Sequence, residues 1–292
     1  MAVKVKAEKQ SDQRIVEQLS IFNGMVVAIT GASSGLGRAL AVEFYKKGAR
    51  LAISDIAEDG LEETGNIIKG SDETVKKYLV DVSDVDQVRE YAQSVVNDFG
   101  CVDIIVNNAG VGILGLIKNT PYEEFEWIIN TNLWGVIYGT KEFLPYLLDR
   151  PRAYIINISS AAGICGAYTL GAYCTTKFAV RGFTESLTQE LSNTNVKSVL
   201  VMPDFFRTNV FRNGKCFLNK ATKEEIVQAY DDELTVTASE VAKSILKGVE
   251  KGKQRMILGK MGNNMDKMVR LFPNYHRKII LKKVTKKRGF DE

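Results

Sequence analysis

The sequence predicts an α/β fold, a doubly wound and mostly parallel sheet with helices on both faces. Three observations predict it. Short runs rich in β-branched residues alternate with amphipathic helical stretches from residue 25 onward; the first run passes through a glycine-rich turn straight into a helix; and no Pro/Ser-rich linker or internal repeat divides the 292 residues. Strand and helix in strict alternation imply parallel strands joined by right-handed crossovers.

The element assignments follow from periodicity. Residues 25–30 (MVVAIT), 50–54, 75–80, 104–107, 154–158 and 196–202 read as strands, and 255–258 as a further one. Residues 36–47, 57–69, 85–99, 121–148 and 173–192 read as the intervening helices. Residues 23–261 form one domain on this reading, with an N-terminal extension over 1–22 and a basic C-terminal extension over 262–292.

Composition narrows the function classes. The chain is 45% hydrophobic and 25% charged, as a globular protein is. Its net charge of +4 is concentrated at the end: seven basic residues and no acid lie between Arg277 and Arg288, and without them 32 basic residues face 35 acidic ones. A nucleic-acid binder carries its positive charge across the folded domain, so nucleic acid is not expected as a partner. Cys101, Cys165, Cys174 and Cys216 are scattered without metal-ligand spacing, so no metal is expected and the thiols are expected to be reduced. The first twenty residues lack a signal-like apolar core and no long uncharged run occurs, which together predict a cytoplasmic protein. The lone His276, in the tail, is expected at the surface.

The first strand leads into Thr30-Gly31-Ala32-Ser33-Ser34-Gly35-Leu36-Gly37. Glycines here permit a tight turn and close backbone approach to a pyrophosphate, and the following helix offers unpaired N–H groups and a favourable dipole. Asp55 ends the second strand, 20 residues after Gly35, where an acid can accept hydrogen bonds from both adenosine ribose hydroxyls. A carboxylate there repels a 2′-phosphate, so NAD is expected over NADP. Arg38 is a candidate phosphate partner that weakens this preference.

With these residues in hand, residues 22–260 resemble the short-chain dehydrogenase/reductase family, which implies a Rossmann-type sheet. The turn is similar to that family's T-G-x-x-x-G-x-G. Asp81-Val82 matches its adenine-contacting pair, Asn107-Asn108-Ala109-Gly110 its N-N-A-G segment, and Asn132 its helix-borne asparagine. Ser160 precedes Tyr173 by 13 residues, and Lys177 completes Tyr-x-x-x-Lys. The resemblance implies a nicotinamide cofactor held by Gly31, Ser33, Ser34, Gly35, Leu36, Gly37, Asp55, Asp81, Val82, Asn108, Ala109, Gly110, Tyr173, Lys177, Pro203 and Thr208. It also implies catalysis by Asn132, Ser160, Tyr173 and Lys177. One departure stands out: the family's Pro-Gly is Pro203-Asp204 here, and Asp is expected to restrict a backbone that Gly leaves free.

Tyr173 and Lys177 are i and i+4, hence on one helix face. A free tyrosine titrates near ~10, and a neighbouring ammonium favours its phenolate. Ser160 is placed to hydrogen-bond a substrate oxygen. Asn132 is expected to hold a water linking Lys177 to solvent. The aromatics Phe205, Phe206, Phe211 and Phe217 correspond to a lid in the family, and residues 112–116 and Tyr168 are expected to wall an apolar substrate site. These features predict oxidation of a lipophilic secondary alcohol or reduction of the ketone. An NADP-linked reductase and a non-catalytic dinucleotide-binding module remain the alternatives. The resemblance implies a homodimer or homotetramer. The tail over 262–292, apolar at helical spacing and basic, reads either as a helix packed on the domain or as a membrane-surface contact.

Overall fold

A computed structural model describes residues 20–204, 206, 209–218, 223–225, 228 and 236–275. Strands β1 (Val26–Thr30), β2 (Arg50–Asp55), β3 (Val75–Leu79), β4 (Ile104–Asn107), β6 (Ala153–Ile158), β7 (Val196–Pro203) and β9 (Arg255–Leu258) form one parallel sheet ordered β3-β2-β1-β4-β6-β7-β9. The order reverses between β1 and β4, both of which pair in register with their neighbours: Ala28 lies opposite Ala52 on one side and Ile105 on the other. That reversal opens a crevice at the carboxyl ends of the strands.

The central strands are buried on both faces, which is why they read as continuous apolar runs rather than alternating ones. Helices α1 (Gly35–Lys46) and α7 (Ala238–Glu250) cover one face over Val27, Ile29, Leu51 and Ile156. Helices α3 (Val85–Phe99), α5 (Gly135–Leu148) and α6 (Gly171–Glu190) cover the other, over Val26, Ala28, Ile105 and Ile155. Helix α2 (Glu58–Ile68) closes the β2–β3 crossover. Phe22, fully buried, meets Phe44 edge-on at 5.0 Å, so packing begins ahead of β1.

Three differences from the sequence expectation have physical causes. The helix expected over 121–148 is divided: α4 (Tyr122–Ile129) passes through a π turn at Asn130–Trp134 before α5. The wider i→i+5 turn accompanies a buried Asn132, whose amide exchanges hydrogen bonds with the Val111 backbone. Two short strands, β5 (Ile113–Gly115) and β8 (Lys215–Phe217), pair across a hundred residues of sequence. Helix α7 was not anticipated, although Thr237 and Glu240 form a capping box ahead of its apolar face.

The C-terminal helix α8 (Lys260–Leu271) packs Met265 and Val269 on Ile164, Leu200 and Met202. Its amino end accounts for the Pro203-Asp204 departure. One Asp204 carboxylate oxygen accepts the N–H groups of Met261 at 2.8 Å and Gly262 at 3.0 Å. Asp204 is not among the described residues with positive φ, so the expected backbone restriction does not arise; the positive φ lies instead at Gly259, +128°, where a Cβ would stand 2.3 Å from Asp204. The residue acts as a cap supplied from another element. Asp204→Ala is expected to lower stability by about 1 kcal/mol, and Asp204→Asn by less, in urea unfolding. Equal midpoints for all three proteins would remove the capping role.

Candidate active site

At the mouth of the crevice β1 ends in Thr30, whose Oγ1 accepts the N–H groups of Asn108 (3.0 Å) and Ala109 (3.1 Å). The Asn108 amide donates back to the carbonyls of Thr30 (2.9 Å) and Gly31 (3.1 Å). These four bonds tie the glycine turn to the loop after β4. Gly31 has φ +69°, and a Cβ on Gly37 would lie 2.0 Å from the Gly31 carbonyl oxygen, so α1 can approach the turn only with glycine there. Ser34 stands at the amino end of α1 without a side-chain cap hydrogen bond. The first-turn N–H groups are thus left for a ligand, where Ser34, Gly35 and Leu36 line a cleft.

That cleft encloses about 430 Å³. Gly31 and Ser33 line it from the turn; Asp55, Asp81 and Val82 from the ends of β2 and β3; Asn108, Ala109 and Gly110 from the loop after β4. Ser160, Tyr173, Lys177 and Pro203 line it from the other side. Two expected residues do not reach it. Gly37 lies behind the turn, and Asn132, fully buried, lies behind Gly110. Thr208, Phe205 and His276 lie outside the described residues, as does the basic run beyond Tyr275.

The Asp55 carboxylate accepts the N–H of Ser33 (3.1 Å) through one oxygen and that of Ala57 (3.1 Å) through the other, which holds it at the cleft edge. Each oxygen keeps a second acceptor site. Arg38 is committed elsewhere: its guanidinium donates to the Ser33 carbonyl, to Thr64 Oγ1 (3.0 Å) and to Glu63 (2.7 Å). Asp81 accepts the backbone and hydroxyl hydrogens of Ser83.

At the far end Tyr173 is 8% exposed, under the ring of Phe211 at 5.3 Å. Burial raises its phenol to about 12, while a hydrogen bond with Ser160 acts in the opposite direction. Ser160 Oγ also accepts the Ala162 N–H at 3.2 Å. Lys177 is 4% exposed, donates to the Ile158 carbonyl at 3.0 Å, and is lowered by burial to about 8. The lowering of the phenol expected from Lys177 is therefore not found. Enclosure penalises both charged forms, the phenolate and the ammonium, in the same pocket.

Asn132 is held by protein partners at three points. Its two amide hydrogens go to the Val111 carbonyl (2.9 Å) and Thr176 Oγ1 (3.2 Å), and Oδ1 accepts the Val111 N–H (2.8 Å). The side chain clamps β4's exit loop to α6, and Oδ1 keeps a second acceptor site. A Cβ on Gly110 would stand 3.2 Å from Asn132 Oδ1 and 3.6 Å from Lys177 Nζ, so both groups converge on that glycine.

Sequence reasoning missed Ser159. Its hydroxyl donates to the Lys177 carbonyl at 2.7 Å, pinning α6 to the end of β6, and Gly163 has no room for a Cβ against the same carbonyl. A Ser-Ser pair before a loop carries no local sign of such a bond. Phe206 and Phe211 line the cleft as the lid reading expected, with Val111 and Trp127 beside them. Residues 112–116 and Tyr168 do not. Pairing of β5 with β8 turns Ile113 and Leu114 into the cluster beneath the lid, where Phe217 also packs. Burial raises the Cys174 thiol, which keeps it protonated beside Tyr173.

Comparison with known proteins agrees with this geometry. A family profile described as short chain dehydrogenase matches residues 25–215. Over 271 residues the chain is 36% identical to a Mycobacterium tuberculosis protein named as an oxidoreductase, SadH, spanning 92% of this chain and 98% of that one. It is 35% identical over 207 residues to estradiol 17-beta-dehydrogenase 11 of Macaca fascicularis, spanning 70% and 69% of the two chains. A solved short chain dehydrogenase/reductase from Burkholderia phymatum, in complex with NAD, is similar with a TM-score of 0.77 at 27% identity, covering 89% and 96%. The chain belongs to the short-chain dehydrogenase/reductase family.

Proposed function

We propose that the protein is an NAD-dependent oxidoreductase that interconverts a secondary alcohol and a carbonyl on a lipophilic small molecule. The observation that carries this reading is the placement of Tyr173, Ser160 and Lys177 at one end of the cleft whose other end is the glycine turn. The uncapped first turn of α1 fits a pyrophosphate, and Asp55 fits the adenosine ribose diol. Gly110, Lys177 and Pro203 would hold the nicotinamide end, which supplies hydride transfer when bound.

The chain's own residues handle the proton. In oxidation Tyr173 removes the hydroxyl proton of the substrate, and in reduction it donates one to the nascent alkoxide. Ser160 donates its single hydroxyl hydrogen to the same substrate oxygen and stabilises its charge. Lys177 passes the proton on from the phenol side, through a water that Asn132 Oδ1 would hold near Gly110, where the two side chains converge. Phe211, Phe206 and Trp127 exclude water and present apolar surface to the substrate. Assembly as a homodimer or homotetramer fits the outer faces of α5, α6 and the π turn before α5, where Leu148, Phe178 and Trp134 are exposed.

A cofactor-linked screen of lipophilic alcohols with NAD and ketones with NADH tests the activity directly. Turnover with no member of a steroid, retinoid and acyl panel would favour a non-catalytic dinucleotide-binding module. Cofactor choice is tested at Asp55. A carboxylate ~4 Å from a 2′-phosphate costs about 4 kcal/mol per charge pair near a protein surface. Asp55→Ala is expected to raise NADP affinity about tenfold or more and to weaken NAD, measured by fluorescence titration. Wild-type protein that binds NADP as tightly as NAD would reverse the assignment.

A further inference from the structure

The ring of Phe211 is held over Tyr173 by a short loop that hangs on one residue. Gly112 donates its N–H to the Val210 carbonyl at 3.0 Å and accepts the N–H of Lys215, also at 3.0 Å. Both backbone groups of this glycine thus grip the two ends of the segment that carries the ring. Within the segment Asn213 donates to the Asn209 carbonyl at 2.8 Å, closing one helical turn. Strand β8 then runs along β5, and Lys215 reaches across to α4. Its ammonium lies 2.6 Å from the Glu124 carboxylate and 4.3 Å from the centre of the Trp127 ring. The seat is close. A Cβ on Gly112 would stand 2.5 Å from the Phe211 ring and 3.0 Å from the Val210 carbonyl oxygen, and one on Gly214 would stand 2.2 Å from the Gly112 carbonyl oxygen.

The consequence lies at the phenol. The ring centres of Phe211 and Tyr173 are 5.3 Å apart at 59°, so one side of the proton-exchanging residue is roofed. A substrate oxygen that reaches Tyr173 and Ser160 must bring its carbon in beside that roof. We propose that Phe211 selects substrates by bulk: it admits a ketone or secondary alcohol with one slim substituent on the reacting carbon and excludes one with two bulky substituents, while Gly112 sets the position of the ring. This rests on the oxidoreductase reading above and narrows its substrate class. The ties at Gly112, the β5–β8 pairing and the Lys215–Glu124 ion pair are internal to the protein, so the ring is placed before substrate arrives. A preplaced wall discriminates by size, and a single methylene in such a pocket is worth about 10- to 200-fold.

The test compares NADH-linked reduction of acetophenone, with a methyl beside its ring, and benzophenone, with two rings on the reacting carbon. Wild type is expected to favour acetophenone by about a hundredfold or more in kcat/KM. Phe211→Ala is expected to shrink that preference about tenfold or more, and Phe211→Leu by less. Phe211→Leu, which keeps an apolar side chain, carries the same comparison should the Ala variant not fold. Gly112→Ala removes no group that touches substrate, and is expected to shift the ratio about threefold or more with NADH affinity unchanged. A readout independent of turnover follows from the roof itself. Phe211→Ala readmits water to the phenol, so tyrosinate absorbance is expected at lower pH than in wild type, and that change is expected to vanish in Phe211→Ala/Tyr173→Phe. Lys177, with Nζ 5.7 Å from the Tyr173 ring centre, Ser160 and Cys174 also face this residue, and all these variants retain them. An unchanged ketone ratio in folded Phe211→Ala or Phe211→Leu overturns the proposal, as does equal use of both ketones by wild type or a tyrosinate transition that does not move. No turnover of either ketone by any of these proteins also overturns it; turnover of the steroid, retinoid and acyl panel then shows that the oxidoreductase reading stands without this selection.

Discussion

Tyr173→Phe is expected to lower turnover by about 10²- to 10⁴-fold in both directions while leaving cofactor binding and stability nearly unchanged. The substitution removes one oxygen and keeps the ring, so the packing under Phe211 and the buried environment persist. What is lost is the group that exchanges a proton with the substrate oxygen. The pH dependence follows from the burial that raises the phenol to about 12 in the ligand-free protein. Reduction needs the phenol protonated, so its rate is expected to hold through neutral pH. Oxidation needs the phenolate, so its kcat/KM is expected to rise with pH. Steady-state rates in both directions, with NADH titration of the variant, check this. A Phe variant within tenfold of wild type would remove Tyr173 from the chemistry.

The fold and the cleft were legible because they rest on local patterns. Val26–Thr30 is a β-branched run followed at once by glycines, and Tyr173 with Lys177 is an i, i+4 pair. Such features need no knowledge of what packs against them. The rest depends on distant partners. The π turn at Asn130–Trp134 accompanies an amide that meets Val111, and nothing in Asn-Thr-Asn-Leu-Trp announces an extra residue per turn. Ser159 is informative only once the Lys177 carbonyl is known to stand 2.7 Å away. Asp204 reads as an interruption of a family pattern until α8 arrives above it with two unpaired N–H groups. The burial that raises Tyr173 and lowers Lys177 is hidden from the sequence for the same reason. A sequence shows that two groups are neighbours, but not that the space around them is dry.

That dryness makes Lys177→Met the second large effect. Burial lowers the Lys177 ammonium from 10.5 to about 8. Below pH 8 the group is charged in the folded and unfolded chains alike, and the folded protein carries the full desolvation penalty. Between about pH 8 and 10.5 the unfolded chain binds the proton that the folded one has released, so this residue makes stability rise with pH. The displacement corresponds to about 3 kcal/mol. Methionine matches the length of the side chain without the charge, and loses one hydrogen bond to the Ile158 carbonyl worth about 1 kcal/mol. Ligand-free Lys177→Met is therefore expected to be about 2 kcal/mol more stable than wild type at pH 7 and slightly less stable near pH 10.5, while its turnover is lost. Tyr173, raised rather than lowered, acts with the opposite sign from pH 10 to 12, but it is common to both proteins and cancels in the difference. Urea unfolding at pH 7, 9 and 10.5, at one protein concentration, measures the gap. A gap that does not change with pH would show that packing, not the buried charge, sets the difference, and that Lys177 holds its proton in the folded protein across the whole range.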